Sequence, residues 1–169
     1  MKLTANIDLR ELVPKSFWEA KKHRAVRFID AGLVMAAQWM MRRYKWDSIM
    51  INDWMHGGQS EQRGLRIPGQ KLYRGEGAHD TGRALDIIPR RGDENVRDLV
   101  AEFHEHAAKY PRLYFANNIW RIETIQLAPT WIHIDSIIWP EQKEVTFIDM
   151  TTRYTPKVYL EMMRKDGIC

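Results

Sequence analysis

The stretch GEGAHDTGRALDII, residues 75–88, sets His79 in a glycine-rich segment ahead of Asp86, which interrupts an otherwise apolar run. A second interruption comes later, where WIHIDSI at 131–137 carries His133 between two isoleucines and Asp135 two residues on. Side chains two apart on a strand share a face. Read as strands, RALDII turns Ala84, Asp86 and Ile88 one way and Leu85 and Ile87 the other. WIHIDSI likewise parts Trp131, His133 and Asp135 from Ile132 and Ile134. If the two strands are neighbours, a carboxylate and an imidazole converge on one surface. Glycines at 75, 77 and 82 then let the chain fold His79 over it. Two histidines and a carboxylate with a fourth position open form a plan for catalytic zinc. Such an ion lowers the pKa of a bound water towards ~7 and polarises a carbonyl. The same residues also suit a plainer arrangement, an Asp86–His133 ion pair with His79 in a surface loop. The spacing alone leaves both open.

Composition narrows what else the chain can be. Its 169 residues fit one domain, 1–169, long enough to bury a core. A single cysteine, Cys169, excludes an internal disulfide framework and any cysteine-rich zinc module, so a bound metal must be held by His, Asp and Glu. The net charge of +4 comes with modest basic clusters at 21–27, 41–45 and 89–91, a general attraction to polyanions such as nucleic acid or an acidic cell wall. There is no specific nucleic-acid motif, neither an RNP aromatic pair nor a Cys/His finger, and a solvated basic face is the expectation. No apolar run approaches the ~20 residues of a membrane span. The start, MKLTANIDLRELVP, lacks the apolar core and cleavage site of a signal peptide, which leads us to expect synthesis in a cytoplasm.

The elements that must position these residues follow from periodicity. Pro14 and Ser16 open a largely helical first quarter. Asp30 is a natural N-cap for AGLVMAAQWMMRRY, where Leu33, Ala37, Met40 and Met41 fall on one face. SIMIND at 48–53 reads as a short strand, and residues 56–82 as one long loop of the kind that is either functional or disordered. GRALDII is a strand. DENVRDLVAEFHEHAAKY, 93–110, is a helix capped by Asp93 and stopped by Pro111. RIETIQL and WIHIDSIIW are further strands, TFIDMTTRY is a weaker one, and PKVYLEMMRK is a short helix. His104 and His106 lie two apart on a helix and share no face, which suits structural or surface roles. Together these predict one α+β domain, a small antiparallel sheet flanked by helices.

The pattern HDTGRALD followed by WIHID resembles the LAS-type zinc peptidases. These take in D-Ala-D-Ala carboxypeptidases and dipeptidases, L-alanyl-D-glutamate endolysin peptidases and the Hedgehog signalling domain. Their segment has the form S-x-H-x-x-G-x-A-x-D, with a later W-x-H or H-x-H strand. Gly82 and Ala84 occupy the small positions here, and the interval from His79 to Asp86 matches. INDWMH at 51–56 and RGLR at 63–66 also resemble the family's strand and loop before the first ligand, so the likeness spans roughly residues 28–139. It implies a Hedgehog/D-Ala-D-Ala peptidase-like fold and Zn2+ held by His79, Asp86 and His133. It also implies hydrolysis of peptidoglycan stem peptides or similar short peptides. A phage-associated enzyme, or one released to the cell wall, would fit that chemistry.

Three departures bear on activity. Family enzymes carry Glu or Asp three residues before the last histidine as general base, and Thr130 stands there in this chain. A threonine hydroxyl takes up no proton near neutral pH, so hydrolysis needs a base from elsewhere. Gly77 replaces the family's serine, and His56 stands where an arginine commonly holds substrate oxygen, which leaves Arg63 or Arg66 to supply that charge. Glu123, on a strand that can neighbour His133, is the first choice of base, ahead of Glu76 beside the ligand loop. Asp135, on His133's face, suits a partner that orients the imidazole. His56 can donate to an oxyanion or cap its own loop. The alternative is a zinc-binding module that keeps the scaffold without turnover.

Overall fold

The computed structural model describes residues 1–168. Cys169 lies outside them. The chain runs α1 (Lys15–Lys21), α2 (Ala31–Tyr44), β1 (Ser48–Met50), β2 (Ala84–Arg90), α3 (Val96–Lys109), α4 (Pro111–Ala116), β3 (Arg121–Glu123), β4 (Ile132–Asp135), β5 (Thr146–Ile148), β6 (Arg153–Tyr154) and α5 (Pro156–Lys165), with short 3-10 turns between. The strands form one sheet in the order β1-β2-β4-β3-β5-β6. It is mixed rather than antiparallel, because β3 and β5 run parallel. The result is an α+β arrangement. Among the described residues no helix is long and apolar enough to cross a membrane.

Helix α2 follows the expected boundaries. Asp30 Oδ1 accepts from the Gly32 N–H at 2.7 Å, and Leu33, Ala37, Met40 and Met41 are all buried. Helix α3 starts later than expected: Asn95, not Asp93, caps it, accepting from the Arg97 N–H at 2.9 Å. Pro111 does not merely stop α3. It opens α4, a first-turn position where its missing N–H costs nothing.

One sheet face makes the core. Leu85, Ile87, Ile122, Ile132, Ile134 and Phe147 are all essentially inaccessible, with α3 against β2 and α5 against β5. Fully burying one such side chain contributes about 1.5–3 kcal/mol. The alternation that fills this face turns Ala84, Asp86, His133, Asp135, Arg121 and Glu123 to the other. There the segment 51–83 brings His79 against Asp86 and His133. Leu65 N–H bonds to Leu12 carbonyl at 2.8 Å, and Asp86 N–H to Arg63 carbonyl at 2.8 Å, so this loop is tied down on both sides.

Candidate metal centre

The register of β2 on β4 sets Asp86 opposite His133 and Ala84 opposite Asp135. The first pairing brings Asp86 Oδ1 to 2.7 Å from His133 Nδ1. His79 arrives from the loop through a turn in which the Arg83 N–H bonds the Ala78 carbonyl at 2.8 Å. Gly82 makes that turn possible: its φ is +68°, and a Cβ there would stand 1.7 Å from the Phe28 carbonyl oxygen. His79 Nε2 then lies 3.3 Å from both Asp86 Oδ1 and His133 Nδ1.

Two of the three separations match what a bound cation demands, and the third, 2.7 Å, is a hydrogen-bond distance. His79 Nδ1 donates to the Gly64 carbonyl at 2.8 Å, and a carbonyl only accepts, so in the neutral ring the Nε2 lone pair faces Asp86 and His133. A lone pair aimed at a carboxylate oxygen needs a proton or a metal between them. Tetrahedral zinc bonds of about 2.0–2.1 Å separate their donors by about 3.3–3.4 Å, close to two sides of this triangle. His79 and His133 are buried and Asp86 nearly so, which shields the group from competing water. His79, Asp86 and His133 together can hold a metal ion.

Behind His133 stands Asp135, fully buried, its Oδ2 3.4 Å from His133 Nε2. Arg121 clamps that carboxylate, with Nε at 2.7 and 2.8 Å from its two oxygens and Nη2 at 2.6 Å. Asp135 Oδ1 also accepts from the Ile137 N–H at 3.0 Å. A carboxylate on the far nitrogen of a ligating imidazole fixes its orientation and raises its basicity. Burial opposes charge on His133, yet hydrogen bonds to Asp135 and Asp86 push its pKa up to about 10. Burial likewise opposes the charge on Asp86, and His79 and His133 hold that carboxyl well below its usual range. For Asp135 the burial penalty is outweighed by His133 and Arg121, again lowering the pKa. A proton and a divalent cation thus compete for one place.

The remaining candidates separate cleanly. Arg66 reaches the centre, its Nη2 3.6 Å from Asp86 Oδ2 and its Nε on the Gln62 carbonyl at 2.9 Å. Arg63 gives the site only its backbone; its side chain turns to the Ile51 carbonyl at 3.1 Å and Asp53 at 3.8 Å. His56 is exposed and shares a hollow with Glu11, Asn52 and Arg90, away from the triad. Glu76 is exposed too. Glu123 lies one step beyond the Ile122–Ile134 pair of the β3–β4 ladder, at the level of His133, and its charge is felt by that ring. Half-buried, Glu123 makes no hydrogen bond or ion pair among the described residues. Arg121 belongs to no motif in the sequence, but its two-residue spacing from Glu123 on β3 puts both on the site face. Gly64 carried no signal; a Cβ there would meet the Leu12 carbonyl oxygen at 2.2 Å.

Comparison with protein-family models, with curated proteins and with solved structures finds no match to this chain.

Proposed function

We propose that this protein is a zinc-dependent hydrolase of the LAS peptidase type, with the Hedgehog-like fold, acting on peptidoglycan stem peptides or similar short peptides. The observation that carries the reading is the His79–Asp86–His133 triangle, with sides of 2.7, 3.3 and 3.3 Å and a carboxylate behind one imidazole. Two nitrogens and one oxygen as the donor set suit zinc better than magnesium or calcium, which take oxygen shells. The sequence resemblance at HDTGRALD and WIHID supplies the substrate class.

Zinc, when bound, supplies a water of depressed pKa and a Lewis acid for the scissile carbonyl. Glu123 takes the proton of the attacking water and returns it to the leaving amine, a task that a carboxylate without its own partner can perform. Arg66, anchored through Nε and with Nη2 3.6 Å from Asp86, would donate to an oxyanion forming on the carbonyl. Asp135 and Arg121 keep the His133 ring in place throughout.

A zinc-binding module without turnover is the second reading, favoured by Thr130 at the family's base position. Digestion of purified cell wall and of stem peptides, followed by mass spectrometry, separates the two. Released peptides that disappear with Glu123→Gln, while zinc stays bound, support hydrolysis. Full zinc content without release of any peptide sinks it.

A further inference from the structure

The site face of the sheet continues past Glu123. β3 pairs with β5 so that Glu123 meets Ile148, and β5 pairs with β6 so that Ile148 meets Arg153. One row therefore crosses the sheet through Asp86, His133, Glu123, Ile148 and Arg153. Three strand spacings of about 4.8 Å put the Arg153 backbone about 14 Å from that of His133, roughly four residues of extended peptide.

At the end of that row is a hollow of about 220 Å³ bounded by Arg121, Trp139, Arg153 and the 148–152 turn. Its floor is the Trp139 ring, flanked by the Arg121 guanidinium at 4.8 Å and the Arg153 guanidinium at 3.6 Å. The Trp139 backbone is held: its amide N–H donates to Gln142 Oε1 at 3.2 Å, and Gln142 Nε2 donates to the Trp120 carbonyl at 2.6 Å. The two cations differ. Arg121 is neutralised by Asp135, whereas the Arg153 guanidinium is exposed and has no hydrogen bond or ion pair among the described residues. Asp149 also lines the hollow, but its carboxylate accepts from the Thr151 and Thr152 N–H groups at 2.8 and 2.7 Å and from the Tyr154 hydroxyl at 2.6 Å. Asp149 thus offsets much of the charge of Arg153, which disfavours a phosphate dianion; its carboxylate is already engaged by three donors, so the unpaired Arg153 guanidinium is the group left to meet a single carboxylate. A guanidinium held over an indole ring without a hydrogen-bond partner keeps N–H groups for a bidentate carboxylate.

We propose that this hollow binds a carboxylate group of a peptide laid along the sheet face, with Arg153 as its partner and Trp139 as its platform. This deepens the peptidase reading and rests on it for the course of the peptide. The test uses the full chain and acetyl-Ala-Ala-Ala-Ala as free acid and as C-terminal amide, with binding followed by calorimetry, independent of turnover. The acid is expected to bind at least tenfold more tightly than the amide, and Arg153→Gln to abolish that difference with zinc content unchanged. Equal binding of acid and amide, binding of neither, or discrimination surviving in Arg153→Gln would each overturn the proposal. Discrimination in a protein that holds no zinc and cuts no peptide keeps the hollow and defeats the peptidase reading. Zinc and turnover without discrimination do the reverse.

Discussion

Asp86 and His133 face one another across the β2–β4 ladder, and that pairing alone brings Oδ1 to 2.7 Å from Nδ1. The contact is a property of backbone register. A slip of one residue in either strand would turn that strand's polar side chain into the core and its apolar neighbours out. The apolar face formed by Leu85, Ile87, Ile132 and Ile134 therefore fixes the candidate centre as firmly as its polar contacts do.

Glu123→Gln is expected to leave zinc content and melting temperature close to wild type while turnover falls by about 10²–10⁴, the usual contribution of a general base. The check is kcat on a stem peptide beside metal analysis of the same preparation. Unchanged kcat would remove Glu123 from the mechanism.

Arg121→Met removes the arginine that clamps the buried Asp135, so we expect a loss of about 3 kcal/mol in urea unfolding, the scale for breaking a buried ion pair. Asp135→Asn should weaken zinc binding about 10–100-fold through the loosened His133 ring, measured by competition with a chelator. A zinc affinity indifferent to Asp135 would show that this carboxylate is structural only.

His104 makes stability sensitive to acid. Its ring is wholly buried, Nδ1 bonds the Tyr159 hydroxyl at 2.8 Å, and Nε2 has no partner among the described residues. Burial lowers its pKa to about 3, below the unfolded value near 6.5. Above pH 6.5 neither state binds the proton and the group contributes nothing. As pH falls from 6.5 towards 3 the unfolded chain gains the proton first, and stability drops by up to about 1.4 kcal/mol per pH unit. His104→Gln should flatten this slope in denaturant melts between pH 6.5 and 5. An unchanged slope would contradict the assignment.

Gly82→Ala should destabilise by at least about 2 kcal/mol and displace His79, since a positive φ and a backbone clash act together. Gly92, also at positive φ (+53°) but with open space where a Cβ would stand, is the control. Gly92→Ala is expected to cost about 1 kcal/mol. Equal melting temperatures for the two variants would refute the steric argument.

The alternation in RALDII and WIHIDSI made the faces of Asp86 and His133 readable, because period two is a local property. Which strands lie side by side is not local. The parallel β3–β5 pair joins segments separated by the whole of β4, and no turn residue announces it. Asp93 and Asn95 are both acceptable caps by residue type, and it is Asn95 that accepts from the Arg97 N–H. His56 was drawn to the site by its place in the chain, but the 3-10 turn Trp54–His56 leaves it exposed near Glu11. Arg66 and Arg63 look alike in RGLR; only the fold shows that Arg66 meets Asp86 while Arg63 turns to Asp53.

The most direct test is elemental analysis of the purified chain after reconstitution with zinc and removal of excess. About one zinc per chain is expected, tetrahedral by X-ray absorption with nitrogen and oxygen neighbours at about 2.0–2.1 Å. His79→Ala, Asp86→Ala and His133→Ala should each lose it while circular dichroism shows the helices intact. A wild-type chain that retains no zinc, or a His133→Ala chain that retains all of it, would contradict the account.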